Sequence, residues 1–278
     1  MKQKRKTQLR AVIGIGNYKG GVGKTTTTLN LAMALHKQGY RVMVIDMDRQ
    51  GNLSSCLGWD FNLEDEQHPT IFHVLCKDTP IPVYHSDSGL YYCPSTSVMN
   101  LVDQNLPTLR NPAMKLTRAL QKEPDNHTDE ELSDWMTDFD FILIDSPVGP
   151  QVLTDNILIA ANAMLIPVNL EGFALDGLQN YLAYIQDIRE KENDELHSLG
   201  FLITMCQRHL PDHKDAEQQL RDIYGKDVLP VSISLREAVK KSQRKHTTIY
   251  DIPRADISRD EFTMLANEIL KRTKALLQ

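Results

Sequence analysis

The chain alternates short apolar runs with longer segments in which apolar residues recur at helical spacing. We interpret the apolar runs as buried strands, and they cover residues 11–16, 41–46, 139–145, 163–168, 199–205 and 228–233. Residues 24–38 carry apolar side chains at helical spacing, and Gly39 can cap the end of that helix. Strands that alternate with helices predict an α/β fold, with a mostly parallel, twisted sheet covered by helices on both faces.

Residues 59–138 depart from this alternation. They contain several prolines and an acidic stretch between Glu123 and Asp138, which we interpret as a solvated helix face and loop. The chain shows no internal repeat and no low-complexity linker. We therefore predict a single domain over residues 11–278, preceded by a basic tail over residues 1–10.

The composition is that of an ordinary soluble globular protein, with 41% hydrophobic and 24% charged residues. The formal net charge of −6 argues against a protein coated with nucleic acid, although a local basic patch can still bind a polyanion. The basic N-terminus lacks a signal-peptide pattern, and the apolar stretch over residues 157–170 falls short of the ~20 residues that span a bilayer. Widely spaced cysteines without a C-x-x-C pair predict free thiols in a reducing cytoplasm; they are Cys56, Cys76, Cys93 and Cys206.

A glycine-rich segment, NYKGGVGKTTTT over residues 17–28, joins the first predicted strand to the first predicted helix. Glycines in such a loop allow backbone N–H groups to point at phosphate oxygens, and the helix N-terminus adds its dipole. Lys24 is placed to reach the β- and γ-phosphates, and the Thr25 hydroxyl is placed to ligate Mg²⁺. The segment predicts a nucleoside-triphosphate site whose loop comprises Gly20, Gly21, Val22, Gly23, Lys24, Thr25 and Thr26.

The loop departs in two places from the usual pattern G-x-x-x-x-G-K-[ST]. Tyr18 stands where the first glycine is expected, and Lys19 is a second lysine inside the loop. A second cation beside Lys24 is repelled unless a phosphate neutralises it. We therefore do not interpret Lys19 as an ordinary solvated residue.

Acidic residues end two of the predicted strands, at the sheet edge where α/β proteins bind ligands. Asp145 matches the acid that holds Mg²⁺ through water, although an aspartate before Ser146-Pro147 could also cap a helix. Asp46 is expected near the metal. Asp48 is expected further out, where it could orient an attacking water, although it could also be a turn residue before Gln50-Gly51.

Several segments resemble, in order along the chain, the ParA/MinD family of P-loop ATPases, whose Walker A motif is deviant. YKGGVGKTTTTLNLAMAL resembles the family's K-G-G-x-G-K-[T/S] loop, and VIDMDRQGNLSSCLG resembles the D-x-D-P-Q-G-N segment of ParA/Soj-type partition proteins. Later segments of the family are resembled by FDFILIDSP, MLIPVNLEGFALDGL, GFLITMCQR and LPVSISLREA. The early motifs are more similar to ParA than to MinD.

This resemblance implies an ATPase that uses ATP and Mg²⁺ and forms a homodimer with ATP between two facing subunits. It implies that Lys19 contacts the phosphates of the nucleotide bound by the partner subunit, as an arginine finger does, while Lys24 serves its own ATP. It also implies that Asp48 orients the catalytic water, and it places Glu171 and Met205 beside the nucleotide or the subunit interface.

Three departures from the family pattern bear on these expectations. Arg49 replaces the usual proline after Asp48, so we expect a less rigid loop there. Ser146-Pro147-Val148 replaces a Cys/Thr-Pro-Pro step. Val231 and Ser234 occupy positions where relatives commonly have arginine, which weakens a residue-by-residue transfer of DNA contacts.

The resemblance also implies non-specific DNA binding by the ATP dimer, and hydrolysis stimulated by a ParB-like centromere-binding protein. A basic cluster in this otherwise acidic chain suits DNA binding, and the alternative is an ordinary solvated face. Its members are Arg236, Lys240, Lys241, Arg244 and Lys245. The tail at residues 1–10 adds phosphate contacts, stimulates the partner or is a disordered end. We expect a cytoplasmic, nucleoid-associated protein that segregates a plasmid or chromosome.

Three other functions compete with DNA partition. A MinD-like membrane-positioning ATPase carries a C-terminal amphipathic helix, and residues 261–278 have an apolar face, although this spacing is also typical of a helix packed on its own core. An iron–sulfur reductase of the nitrogenase iron-protein kind needs an arrangement of ligating cysteines that these four do not match. A relative that positions a protein cargo has the same sequence features as one that positions DNA.

Overall fold

The computed structural model describes residues 11–60, 68–121, 138–149, 151–171 and 175–276. The strands of this part are β1 (Ala11–Ile15), β2 (Val42–Asp46), β3 (Tyr84–His85), β4 (Tyr91–Cys93), β5 (Phe141–Asp145), β6 (Ala163–Asn169), β7 (His197–Cys206) and β8 (Val228–Ser234). Its helices are α1 (Lys24–Lys37), α2 (Asn52–Cys56), α3 (Ile71–Lys77), α4 (Val102–Asn105), α5 (Lys115–Gln121), α6 (Val152–Ala160), α7 (Leu175–Lys191), α8 (Pro211–Tyr224), α9 (Glu237–Arg244) and α10 (Asp256–Leu276). The strands form one eight-stranded sheet in the order β3-β4-β2-β5-β1-β6-β7-β8.

Neighbouring strands of this sheet run parallel, except that β3 pairs antiparallel with β4. The six strands predicted from apolar runs are confirmed, and the first predicted helix is confirmed as α1. The register pairs Ile15 with Asp145 and Asp46 with Asp145, so β1, β5 and β2 end at the same level. The carboxyl ends of these three strands form the base of the candidate site.

The apolar side chains of the central strands alternate between two core clusters, one on each face of the sheet. On β2, Met43 and Ile45 belong to one cluster, whereas Val42 and Val44 belong to the other. Helices α3, α5, α6 and α7 contribute to the first cluster, and α1 and α10 contribute to the second. The predicted arrangement, with helices on both faces of a mostly parallel sheet, is confirmed.

Helix α10 is packed against β8 and α1. Phe262, Leu265 and Ile269 are fully buried in that contact. The apolar face considered for membrane targeting is therefore part of the protein core. Among the described residues, no helix is both long enough and apolar enough to cross a membrane.

Residues 59–138 contain more regular structure than the sequence predicted, including α3, β3, β4, α4 and α5. Asp138 forms an ion pair with Arg41 at 3.6 Å and has 7% of its side chain exposed, so its interpretation as part of a solvated face is wrong. The rest of the acidic stretch, from Glu123 to Asp134, lies outside the described residues, as does the basic tail.

Candidate functional site

The glycine-rich loop connects β1 to α1 and borders a cavity of about 380 Å³. Gly21 and Gly23 have φ angles of 70° and 83°, left-handed values that strain a residue with a side chain. Gly23 caps α1 without a side-chain hydrogen bond, and the first turn of α1 contains no acidic residue. The amide groups and the positive dipole end of α1 are therefore available to an anion in the cavity.

Tyr18, at the position of the missing glycine, packs its ring against α7. The ring centroid lies 4.6 Å from that of Tyr181 and 5.6 Å from that of Tyr184. Burial, with a smaller contribution from the charge of Asp155, raises the pKa of Tyr18 to about 12. Tyr18 does not have a positive φ, so this position of the loop does not require glycine. The departure from the usual motif thus anchors the loop to the helix beside it.

Asp145 lies at the end of β5 and binds two hydroxyls of α1. Thr25 Oγ1 donates to Asp145 Oδ2 at 2.6 Å, and Thr28 Oγ1 donates to Oδ1 at 3.2 Å. The carboxyl is fully buried, and burial together with the charge of Asp46 raises its pKa well above the usual range. Helix α6 is capped by Gln151, so the alternative in which Asp145 caps a helix is wrong. Asp145 instead fixes the hydroxyl predicted to ligate the metal.

Asp46, at the end of β2, is surrounded by protein donors. Its Oδ1 accepts a hydrogen bond from the Asp48 N–H at 3.0 Å, and its Oδ2 accepts from the Ser54 N–H at 2.9 Å and the Ser54 hydroxyl at 2.7 Å. Burial raises the pKa of Asp46 to about 6, and the hydrogen bonds from Ser54 oppose that rise. These contacts fix the segment after β2 beside the phosphate loop. The role of Asp46 near a metal stays a prediction.

Lys24 is buried beside these acids, with 6% of its surface exposed. Its Nζ donates to the carbonyl oxygen of Lys19 at 3.4 Å. Burial lowers the pKa of Lys24, while the charges of Asp145 and Asp48 raise it. One buried lysine therefore accompanies two buried carboxyls, and this excess of acid favours an additional cation.

The oxygen donors of Thr25, Asp145 and Asp46 suit Mg²⁺ better than a metal ion that is held by protein side chains alone. Within the described ranges, no group of three or more His, Cys, Asp or Glu side chains is placed to hold a metal ion. Mg²⁺ does not need such a group, because it keeps water ligands and binds one or two protein groups together with substrate phosphates. All four cysteines are free, as predicted.

Asp48 lines the cavity and also stabilises its own turn. Its Oδ1 accepts a hydrogen bond from the Gln50 N–H at 3.0 Å, and its carbonyl accepts from the Gly51 N–H at 3.0 Å. The turn interpretation therefore holds, and it is compatible with a carboxylate at the cavity wall. The Arg49 guanidinium is hydrogen bonded to two other segments of the chain, and the less rigid loop expected there stays a prediction.

Lys19 is exposed. Its Nζ donates to the carbonyl oxygen of Glu171 at 2.9 Å, and its backbone N–H donates to Asn17 Oδ1 at 3.0 Å. The Glu171 N–H in turn donates to Asn169 Oδ1 at 2.9 Å. The structure thus brings together Lys19 and Glu171, which the resemblance assigns to the nucleotide or the subunit interface.

Another wall of the cavity is formed by α9 and the residues that follow it. Gln243 Nε2 donates to Thr26 Oγ1 at 2.7 Å, and Asn30 Oδ1 accepts from the Ile249 N–H at 2.8 Å. Met205 lines the cavity as predicted and has a left-handed φ of 52°. Gln243 was not predicted as a site residue, because it lies among basic residues that indicate DNA binding.

Helix α9 exposes most of the predicted basic cluster. The exposed members are Lys240, Lys241, Arg244 and Lys245. Arg244 pairs with Glu237, and its hydrogen bond and charge lower the pKa of that glutamate. Arg236 is the N-cap residue of α9, has an extended backbone and is only partly exposed.

Arg236 instead lines a second cleft, of about 510 Å³, at the ends of β7 and β8. Arg208 and His209 line the same cleft. The acidic residue of its lining, Glu261, accepts hydrogen bonds from the Ser234 N–H at 3.0 Å and the Ser234 hydroxyl at 2.5 Å. Arg208 and His209 were not predicted as site residues, although two basic residues shortly after a predicted strand were a usable signal.

Comparison with known proteins agrees with this geometry. The AAA domain family AAA_31 matches residues 10–198. The chromosome partitioning protein ParA of Caulobacter vibrioides is 31% identical over 270 residues, which cover 95% of each chain. The chromosome-partitioning ATPase Soj of Thermus thermophilus is 33% identical over 230 residues, which cover 81% of this chain and 83% of that protein.

A crystal structure of cobyrinic acid a,c-diamide synthase from Mycobacterium smegmatis, with bound ADP and magnesium, has the same fold. It is 28% identical in sequence, has a TM-score of 0.77 and covers 95% of both chains. The likeness to the two partitioning proteins extends over most of the chain, and the residues of the phosphate loop and the strand-end acids lie in one site here. This chain therefore belongs to the ParA/Soj family of P-loop ATPases.

Proposed function

We propose that this protein hydrolyses ATP with Mg²⁺ at the phosphate loop, and that its ATP-bound dimer binds DNA non-specifically to carry out DNA partition. The observation that carries the ATPase assignment is the hydrogen bond from Thr25 to Asp145, in a cavity that Lys24 and Asp48 also line. The partitioning proteins among its relatives support the biological role. The bound ADP and magnesium of the Mycobacterium smegmatis structure support the cofactors.

Each part of the site has one task in this proposal. The loop amides and Lys24 Nζ neutralise phosphate oxygens, and Asp48 orients the water that attacks the γ-phosphorus as the bond to the ADP oxygen breaks. Mg²⁺, when bound, offsets the charge that develops on the phosphates. The Thr25 hydroxyl would hold the ion, with Asp145 and Asp46 as the acidic residues beside it.

The second lysine of the loop completes the site of the partner subunit. Lys19 is exposed and is not among the residues that line the cavity of its own subunit. In a two-fold dimer each subunit donates one Lys19 and receives one, so a single exposed residue serves both sites. Glu171, whose carbonyl accepts from Lys19 in the structure, lies at the same surface, and Met205 lies beside the nucleotide.

DNA binds in this proposal on the exposed face of α9 and along the cleft beside it. Several phosphate contacts of this kind give non-specific dissociation constants of ~10⁻⁴–10⁻⁶ M at physiological salt, and a dimer doubles the number of contacts. The cations available are Arg208, Arg236, Lys240, Lys241, Arg244 and Lys245. Gln243 joins this helix to Thr26 of the phosphate loop, so the DNA face adjoins the nucleotide site. A ParB-like protein then stimulates hydrolysis on the nucleoid, in the cytoplasm.

The decisive experiment is co-sedimentation with DNA in the presence of ADP or of a non-hydrolysable ATP analogue. We expect binding with the ATP analogue, weakening steeply as salt rises, and little binding with ADP. The Lys24→Ala variant is the control, because it should bind neither the analogue nor DNA. Equal DNA binding with both nucleotides would contradict the proposal. Binding to anionic vesicles in place of DNA would favour the membrane-positioning alternative.

A further inference from the structure

The segment after β2 forms a turn whose second residue is unusual. The Gly51 N–H donates to the carbonyl oxygen of Asp48 at 3.0 Å and closes a four-residue turn in which Arg49 takes the second position. Proline is favoured at that position because its ring fixes φ, and the family pattern has proline there. Arg49 lacks this backbone restraint, so the turn that carries Asp48 must be restrained in another way.

The Arg49 side chain provides three hydrogen bonds to distant segments. Its Nη1 and Nη2 donate to the two carboxylate oxygens of Asp103 at 2.7 and 2.5 Å, and Nη2 also donates to Gln151 Oε1 at 2.7 Å. Paired hydrogen bonds between a guanidinium and a carboxylate fix direction as well as distance. An exposed ion pair contributes little to overall stability, and Asp103 has 53% of its side chain exposed. The geometry of this contact therefore matters more than its strength.

Both anchors belong to elements that are packed into the core. Val102, next to Asp103 in α4, is fully buried, and Leu153 of α6, two residues after Gln151, is also fully buried. On the inner side, the Met47 N–H donates to the carbonyl oxygen of Asp145 at 3.1 Å, and the Asp48 N–H donates to Asp46. The turn is thus attached to the protein on both sides, with Asp48 between the two attachments.

We propose that Arg49 is a positioning residue for Asp48, and that its tether to Asp103 and Gln151 supplies through a side chain the restraint that proline supplies through the backbone. This inference rests on the proposed role of Asp48 in orienting the attacking water. Arg49 is not among the residues that line the cavity, so it acts through Asp48 and not on the nucleotide.

The test compares Arg49→Ala, Asp103→Ala and Arg49→Pro in steady-state ATP hydrolysis. Arg49→Ala should lower kcat by about fivefold or more with little change in KM, because a small displacement of a water-orienting group costs rate and not binding. Asp103→Ala should also lower kcat, although it leaves the sequence of the turn unchanged. The Arg49→Ala/Asp103→Ala double variant should be no slower than Arg49→Ala, because each substitution removes the same ion pair. Arg49→Pro should recover most of kcat.

Two controls separate this inference from the proposed function. Arg221→Ala removes an ion-paired arginine of α8, 2.8 Å from Glu217, and should leave kcat unchanged. Asp48→Ala should bind ATP without turnover. Normal turnover by Asp48→Ala would overturn both the proposed role of Asp48 and this inference. If Asp48→Ala is inactive, three results would overturn this inference alone. Arg49→Ala could keep the wild-type kcat, it could change only KM, or Arg49→Pro could be as slow as Arg49→Ala.

Discussion

Asp46 and Asp145 end adjacent strands as register partners, and both carboxyls are buried. Burial raises the pKa of both, that of Asp46 to about 6, because hydrogen bonds replace only part of the lost hydration. The ordinary carboxyl value is 3.8, so the folded protein retains a proton that the unfolded chain releases at lower pH. Ionising these two buried carboxyls therefore lowers the free energy of unfolding of the protein.

We expect this cost to appear as the pH rises from 3.8 towards about 6. In that window the folded state binds more protons than the unfolded state, so the contribution of Asp46 to the free energy of unfolding falls by on the order of 2–3 kcal/mol and is constant at higher pH. Urea unfolding of the nucleotide-free wild type and of the Asp46→Asn variant at several pH values measures this change in the free energy of unfolding. The free energy of unfolding of the variant, relative to wild type, should rise with pH through the window.

An exposed acid provides the control for this measurement. Asp222→Asn makes the same substitution at an exposed position of α8 and is measured in parallel. A difference between Asp46→Asn and wild type that stays constant with pH would show that Asp46 does not titrate in the folded protein as its burial requires.

Among the elements, α9 provides the proposed DNA face without lining the nucleotide cavity through its lysines. Reversing the charges of Lys240 and Lys241 to glutamate should weaken DNA binding by tenfold or more, on the order expected for lost phosphate contacts, and should flatten the salt dependence. ATP affinity should stay as in wild type. Fluorescence anisotropy with a labelled duplex at several salt concentrations, and with a fluorescent ATP analogue, measures both quantities.

The matched control reverses two charges on another helix. Arg189 and Lys191 are exposed on α7, and changing both to glutamate alters the net charge of the protein by the same amount. That variant should keep DNA binding close to wild type. If both double variants lose affinity equally, net charge explains the effect, and α9 is an ordinary solvated helix.

The elements that the sequence predicted are those with a local signal. Apolar runs such as residues 141–145 are buried on both faces of the sheet, and they were recognisable without the fold. Strand β3 has two residues, too few for a pattern. The hydrogen bond from Gln243 to Thr26 joins residues 217 positions apart, and the Arg49–Asp103 contact joins residues 54 apart. Such contacts depend on tertiary packing, so the sequence predicted the phosphate loop and the strand-end acids but neither of these two contacts.

For the whole molecule, the positions of the two loop lysines support the proposed dimer. Lys24 is buried in the cavity of its own subunit, whereas Lys19 is exposed and bonded to the Glu171 carbonyl. A complete site then requires Lys24 from one subunit and Lys19 from the other. This division of one site between two chains can be tested by combining subunits that each lack one lysine.

We expect Lys19→Ala and Lys24→Ala to be inactive separately and to restore ATP hydrolysis when mixed. Their mixed dimer has one complete site, with Lys24 from the first variant and Lys19 from the second. Because Lys24→Ala does not bind ATP itself, it enters a mixed dimer only through the ATP of the Lys19→Ala subunit. Activity should therefore rise above that of either variant alone and stay below about a quarter of wild type, the value for free exchange with one complete site in half of the dimers. Mixing either variant with the Lys19→Ala/Lys24→Ala double variant should restore nothing. If Lys19 acted on the nucleotide of its own subunit, no mixture would contain a complete site, and the absence of recovery would contradict the shared-site dimer.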